Sequence, residues 1–349
     1  MPSQRNLEVA EAPALSKVRY RAAIWTLLIL APVIAEVLTG STRLSFIYVL
    51  IPEVMVWGGG ALLCRELVRR WQAGGTSLLL LGLALSIAEE FLIQQTSLAP
   101  LPFPGANAAY ARAWGINWVY LLFMLGFESV WVVVVPVQVT ELIFPRHRAA
   151  PWLRTRGLIA TCVVFLIGCR IAWYGWTQQA RKRLDAAPYH PPLVALVCGV
   201  AAILLLILLA WLLRNYGHAE SSAGRNAVSA WLPAIAAFIL SAGWFHLMGL
   251  VFSPHPWWSA ARAIISAVVW GVGSFALFSY LSTARGWGDI HRWAVCFAST
   301  LGTMAVTFIG TSTGWSHVDL IGKIVLDTLA AAGFVWLGLR IRSRTPGTA

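Results

Sequence analysis

Apolar residues in this chain gather in long blocks and do not alternate with polar ones. TSLLLLGLAL, starting at Thr76, is typical of the blocks, and short polar segments such as PRHRAAPWLRTRG (145–157) separate them. A helix needs about 20 residues to cross a hydrocarbon core of roughly 30 Å. The ten-residue alternating pattern of a membrane barrel is absent. The blocks predict ten helical spans, at 21–38, 44–64, 76–98, 114–144, 157–176, 192–213, 230–252, 259–283, 291–312 and 318–340. The fourth is too long for one straight crossing, and Pro136 within it predicts a kink or a protruding inner end.

The expected fold is an all-α polytopic transmembrane helix bundle. It forms a single integral membrane domain over 1–349, with a short polar N-terminal segment at 1–20 and a possible seam at 145–157 between an acid-rich first half and a greasier second half. The first 16 residues are polar or mixed and lack the apolar core of a signal peptide, so the first span is expected to be retained.

Composition agrees, with 58% hydrophobic residues and only 11% charged, against about a quarter charged in a soluble domain. The net charge of +12 has a simpler use here than nucleic-acid binding, because the basic residues cluster at span ends where they orient helices in the bilayer. With both termini cytoplasmic, eighteen Lys and Arg fall in inner segments and five in outer loops. The outer segment 177–191, QQARKRLDAAPYHPP, is the exception to that bias. The expected location is a bacterial cytoplasmic (inner) membrane, with membrane lipids as partners, no nucleic acid, and protein partners left open. Nine of the 19 Trp (Trp25, Trp71, Trp114, Trp118, Trp152, Trp257, Trp258, Trp287, Trp293) flank spans and suggest an interfacial belt. The five Cys contain no CxxC and read as reduced packing residues.

Ionisable residues inside spans are costly to place there and are therefore the candidate chemistry. In SIAEEFLIQQTS (86–97), Ser86, Glu90, Gln94 and Ser97 fall at helical spacing and form one polar stripe, with Glu89 about 100° around the axis. Two adjacent carboxylates at that depth cannot both stay ionised cheaply, and such a pair suits a general base, a proton carrier or a cation ligand. Glu128 stands mid-span on a face with Asn117, Tyr120, Met124, Trp131, Val135 and Gln138. Glu53 follows Pro52 and precedes Gly58, Gly59 and Gly60, a break that lines a cavity or lets helices approach. Glu36 lies nearer the interface and ranks lower. His246 and Arg170 share the outer half with Glu89 and Glu90, His246 as a conditional catalytic partner and Arg170 as the expected counter-ion. Asp319, Lys323 and Asp327 at i, i+4, i+8 suggest structural pairing along one face, and Thr300, Thr303, Thr307 and Thr311 a packing seam. Walker A, GxSxG, HExxH and GxGxxG loops are absent, so neither a metal nor a cofactor is expected.

The run GLALSIAEEFLIQQTSL resembles the first motif of the CPBP (CAAX-protease and bacteriocin-processing) glutamate intramembrane proteases, in which an EE pair is followed by a basic residue as EExxxR. Glu89 and Glu90 match the pair, and Gln94 stands where that family has Arg. The resemblance covers about ten residues and implies a glutamate that activates water, assisted by histidines on later helices. His246, however, has Ala242 where FxxxH would place Phe. The longer pattern from PVIAEVLTGS through GALLCREL to AEEFLIQQ is similar to a group of bacterial multi-pass membrane proteins. Three readings follow. The first is a secondary transporter or carrier, with Glu53, Glu89, Glu90, Gln94, Glu128 and Arg170 binding protons, cations or a small solute. The second is a glutamate-dependent hydrolase using Glu89, Glu90 and His246. The third is a non-catalytic scaffold or partner subunit.

Overall fold

A computed structural model describes residues 12–101, 107, 109–215, 225–311 and 315–344. Arg5 and most of the polar N-terminal segment lie outside the described residues, as does the side chain of Thr311. Among the described residues ten helices are long and apolar enough to cross a membrane: α1 Tyr20–Val37, α2 Leu44–Arg70, α3 Gly75–Ile93, α4 Trp118–Ile143, α5 Thr155–Arg183, α6 Leu193–Leu212, α7 Trp231–Phe252, α8 Ala260–Ser282, α9 Asp289–Ile309 and α10 His317–Arg344. The protein is an all-α polytopic bundle, and the only strands among the described residues are the two-residue pair Arg112–Ala113 and Ile116–Asn117. Ten crossings put both ends of the bundle on one face, called the inner face below.

The ten predicted spans are all present; α2 runs on to Arg70 and α10 to Arg344, and three other shifts of boundary have a visible cause. α3 stops at Ile93 and not at residue 98: Gln95 takes φ 60° and turns the chain back. α4 starts at Trp118 because residues 112–117 form a small hairpin, and Asn117 caps the helix by accepting the Tyr120 N–H at 3.0 Å. α5 runs on through Arg183, so the basic stretch at 181–183 is helix and not loop. There Arg181 is buried and donates to the carbonyls of Ala187 (2.8 Å) and Pro100 (3.0 Å), which uses up one charge of the apparent exception. At Pro136 the long fourth span continues as helix, and its extra length carries Glu141 into the inner face.

The core lies among α1 to α4, and glycine allows the closest approaches. Gly58 of α2 sits against the Leu28 carbonyl of α1, and a methyl added at Gly82 of α3 would come 3.0 Å from the Ser129 α-carbon of α4. α5 and α8 bury almost no residue fully along their spans, their side chains being half-buried or exposed, and form the lipid-facing periphery. In the second half tryptophan takes over the joining role. Trp244 of α7 lays its ring edge over Gly126 and donates to the Phe123 carbonyl of α4 at 3.0 Å. Trp270 of α8 does the same over Gly243 with the Leu240 carbonyl at 3.1 Å, and Trp293 of α9 over Gly338 with the Phe334 carbonyl at 2.7 Å. Trp152 and Trp293, placed in the interfacial belt by sequence, are therefore internal, whereas Trp25, Trp114 and Trp257 are well exposed.

At the inner face a charged layer ties the bundle together. Glu141 of α4 receives Arg69 of α2 through three bonds (3.0, 2.7 and 2.6 Å) and also meets Arg65 (3.3 Å) and Arg292 of α9 (3.5 Å). Glu66 pairs with Arg65 at 2.9 Å and accepts the Trp152 and Leu153 N–H groups at 2.7 and 3.1 Å. Arg65, Glu66 and Glu141 are wholly buried. Charges so far from water persist only when paired and hydrogen-bonded, and here each is.

Candidate functional site

Four of the first four spans' helical tracks are broken by a π-helical segment: Val33–Val37 in α1, Val54–Gly58 in α2, Glu89–Ile93 in α3 and Glu128–Val134 in α4. Each break coincides with glutamate. Glu36 lies within the first, Glu53 immediately precedes the second, Glu89 and Glu90 open the third, and Glu128 opens the fourth. A π segment widens the turn and re-aims the side chains on it, which is why such breaks gather at functional sites. Here they turn five carboxyl groups toward a common region in the outer half of the bundle. Glu36 and Glu53 are close enough for their charges to act on one another, as are Glu89, Glu90 and Glu128, with Glu36 also in range of Glu89 and Glu128.

Hydroxyl groups attend four of the five. Thr96 donates to both oxygens of Glu90 (2.9 and 2.8 Å) and Ser97 to one at 2.5 Å. Thr42 donates to Glu53, Ser41 reaches Glu36, and Ser86 reaches Glu128 while also donating to the Met124 carbonyl at 3.1 Å. The loop that supplies Ser41 and Thr42 is itself anchored to α10. Lys323 donates to the Leu38 carbonyl at 2.7 Å, and Asp319 accepts the Ser45 N–H and hydroxyl at 2.9 and 3.0 Å. Glu89 is different: it is fully buried, and neither of its oxygens has a hydrogen-bond partner. One oxygen each of Glu53 and Glu128 is likewise unpartnered. No Lys, Arg or His among the described residues forms an ion pair with any of these five acids.

The stripe expected at Ser86, Glu90, Gln94 and Ser97 is realised only in part. Ser97 does meet Glu90, but through the turn at Gln95 and not along a continuous helix. Gln94 is half-buried and bonds neither carboxyl. Arg170, the expected counter-ion, is exposed and rests on the Trp173 ring at 4.4 Å, since a lipid-facing guanidinium finds its best company on an aromatic face. His246 is half-buried. Its Nδ1 is 2.5 Å from the Gly243 carbonyl, its ring packs on Trp258 at 4.8 Å, and its Nε2 has no partner. No hydrogen bond or ion pair joins it to a carboxylate. In α10, Lys323 pairs with Asp327 at 2.7 Å as expected, while Asp319 serves Ser45 and Ser316 and not Lys323.

Sequence reasoning undervalued Glu36 and passed over Glu66 and Glu141. Glu36 sits four residues after Pro32, the same helix-loosening cue seen at Pro52 and Glu53. Among the described residues no three His, Cys, Asp or Glu side chains converge as one metal ion would need. No family model, curated protein or solved structure matches the chain.

Proposed function

We propose that this multi-pass membrane protein is a secondary carrier of a bacterial plasma membrane, and that Glu36, Glu53, Glu89, Glu90 and Glu128 hold the proton or cationic solute it moves. The observation that carries the reading is Glu89: a wholly buried carboxyl without a partner, placed among four other acids by π breaks in four adjacent helices. A purely structural cluster would leave no carboxyl without a donor, as Glu66 and Glu141 are fully paired at the inner face, whereas Glu89 has none. A site that loads and unloads a positive charge must leave acceptor oxygens free for it. Broken helices near the bilayer interior suit the same task. Membrane lipid is its surrounding partner, and nothing in the charge distribution calls for nucleic acid.

The glutamate-hydrolase alternative, carried by Glu89 and Glu90, has less support, because His246 makes its contacts with Gly243 and Trp258. The test is ion flux by the full chain in liposomes, read with a pH-sensitive dye under imposed proton, sodium, potassium and phenethylammonium gradients. Wild type is expected to dissipate at least one gradient, and Glu89→Gln to lose most of that flux while staying monodisperse in detergent. Equal flux in wild type and Glu89→Gln, or no flux under any gradient, would overturn the reading.

A further inference from the structure

A cleft of about 400 Å³ opens at the outer face between α3, α5 and α6, with Gln95, Trp173, Gln178, Tyr189, His190 and Leu196 in its lining. Its floor is the turn that ends α3: Gln95, at φ 60°, donates its N–H to the Glu89 carbonyl at 3.3 Å. Its wall is one face of α5. Cys169 on that face is in electrostatic range of the Glu89 carboxyl, Trp173 follows one turn on, and Thr177 follows again, donating to the Trp173 carbonyl at 2.7 Å. One helix face thus meets the unpartnered carboxyl at its inner end and the cleft at its outer end.

The lining indicates what would enter. It holds no Lys, Arg, Asp or Glu; beside His190 it is made of the Trp173 and Tyr189 rings, two amides, the Thr177 hydroxyl and apolar surface. Two of the neighbouring cations are turned elsewhere, Arg181 to the carbonyls of Pro100 and Ala187 and Arg183 toward the Tyr48 hydroxyl at 3.5 Å. The volume is in the range that holds a small organic molecule. Aromatic faces accept organic cations, ammonium groups among them, and the Trp173 ring already carries one cation, the Arg170 guanidinium. We propose that this cleft is the outer mouth of the Glu89 site and takes a small organic ammonium ion, whose apolar body lies against Trp173 and Tyr189 and whose charge is drawn to Glu89. Arg170 leaves the Trp173 ring as the ligand arrives. The inference deepens the carrier reading and rests on it for the sense of movement, but binding can be tested without flux.

The test uses Gln178→Cys in the full chain as a reporter at the cleft. Its reaction with a membrane-impermeant maleimide is followed on the peptide that carries it, so the native cysteines do not interfere. Phenethylammonium is expected to slow labelling at least fivefold and its neutral counterpart 2-phenylethanol not to. Adding Glu89→Gln should abolish that protection, and adding Arg170→Ala should lower the amine concentration needed for it. Equal protection by amine and alcohol, protection that survives Glu89→Gln, or no gain from Arg170→Ala would overturn the proposal; the Arg170 arm stands even if the Glu89 variant fails to fold. Protection without flux would remove the carrier reading and leave this site, whereas flux without protection would do the reverse.

Discussion

The Arg65 guanidinium lies 3.4 Å from the centre of the Trp152 ring, with both side chains buried at the inner face. The same guanidinium pairs with Glu66 and Glu141 and donates to the His147 and Arg148 carbonyls. A single residue of α2 therefore fixes both the inner end of α4 and the loop that follows it.

Removing Arg65 would leave two buried carboxylates short of their partner. Arg65→Met should destabilise the protein by about 3–5 kcal/mol, the usual cost of breaking a buried pair from one side. Arg148→Ala, which breaks the half-exposed pair with Asp289, should cost under about 1 kcal/mol. Thermal unfolding in detergent, compared across the two variants, checks the contrast; similar losses would mean that the inner layer is as wet as the surface.

The two adjacent glutamates of α3 should respond differently to removal. Glu90→Ala strands the Thr96 and Ser97 hydroxyls and should cost about 1–3 kcal/mol. Glu89→Leu removes a buried carboxyl that has no partner to strand, so stability should be unchanged or higher. Equal destabilisation by both would favour the scaffold reading, since it would make Glu89 a structural group as well.

Glycine substitutions give a third contrast. Gly58→Ala drives a methyl into the Leu28 carbonyl and should separate α1 from α2, with a loss of monodisperse protein on size-exclusion chromatography. Gly273, on the periphery in α8, has nothing within 4 Å of an added methyl. Its alanine variant should behave like wild type.

The spans could be read from sequence because blocks of about 20 apolar residues have few other places to go. The π breaks could not, because a run such as AEEFLI carries no mark that separates a widened turn from an ordinary one. The end of α3 was hidden for a related reason. QQTSL continues the helical spacing of SIAEEFLI, and only the positive φ at Gln95 reveals that Thr96 and Ser97 come back over Glu90. Glu89, Glu90, Glu128 and Glu53 were visible as charges out of place, and the structure brings them together. Arg170 was misjudged because depth alone does not say which way a side chain faces. The Arg65, Glu66 and Glu141 group escaped notice because basic residues at a span end already have a sufficient explanation in orientation.

The tryptophan joints over Gly126, Gly243 and Gly338 bear on how the second half assembles. Lipid tails are as apolar as leucine, so greasy contact alone does not tell one helix which neighbour to choose. A notch without a side chain, with a helix carbonyl one turn away that can accept a second hydrogen bond, is filled well by an indole that arrives at the right height and heading. These joints therefore work as addresses. They specify that α7 docks on α4, α8 on α7 and α9 on α10, at a stage when all ten helices are already in the membrane and equally at ease there.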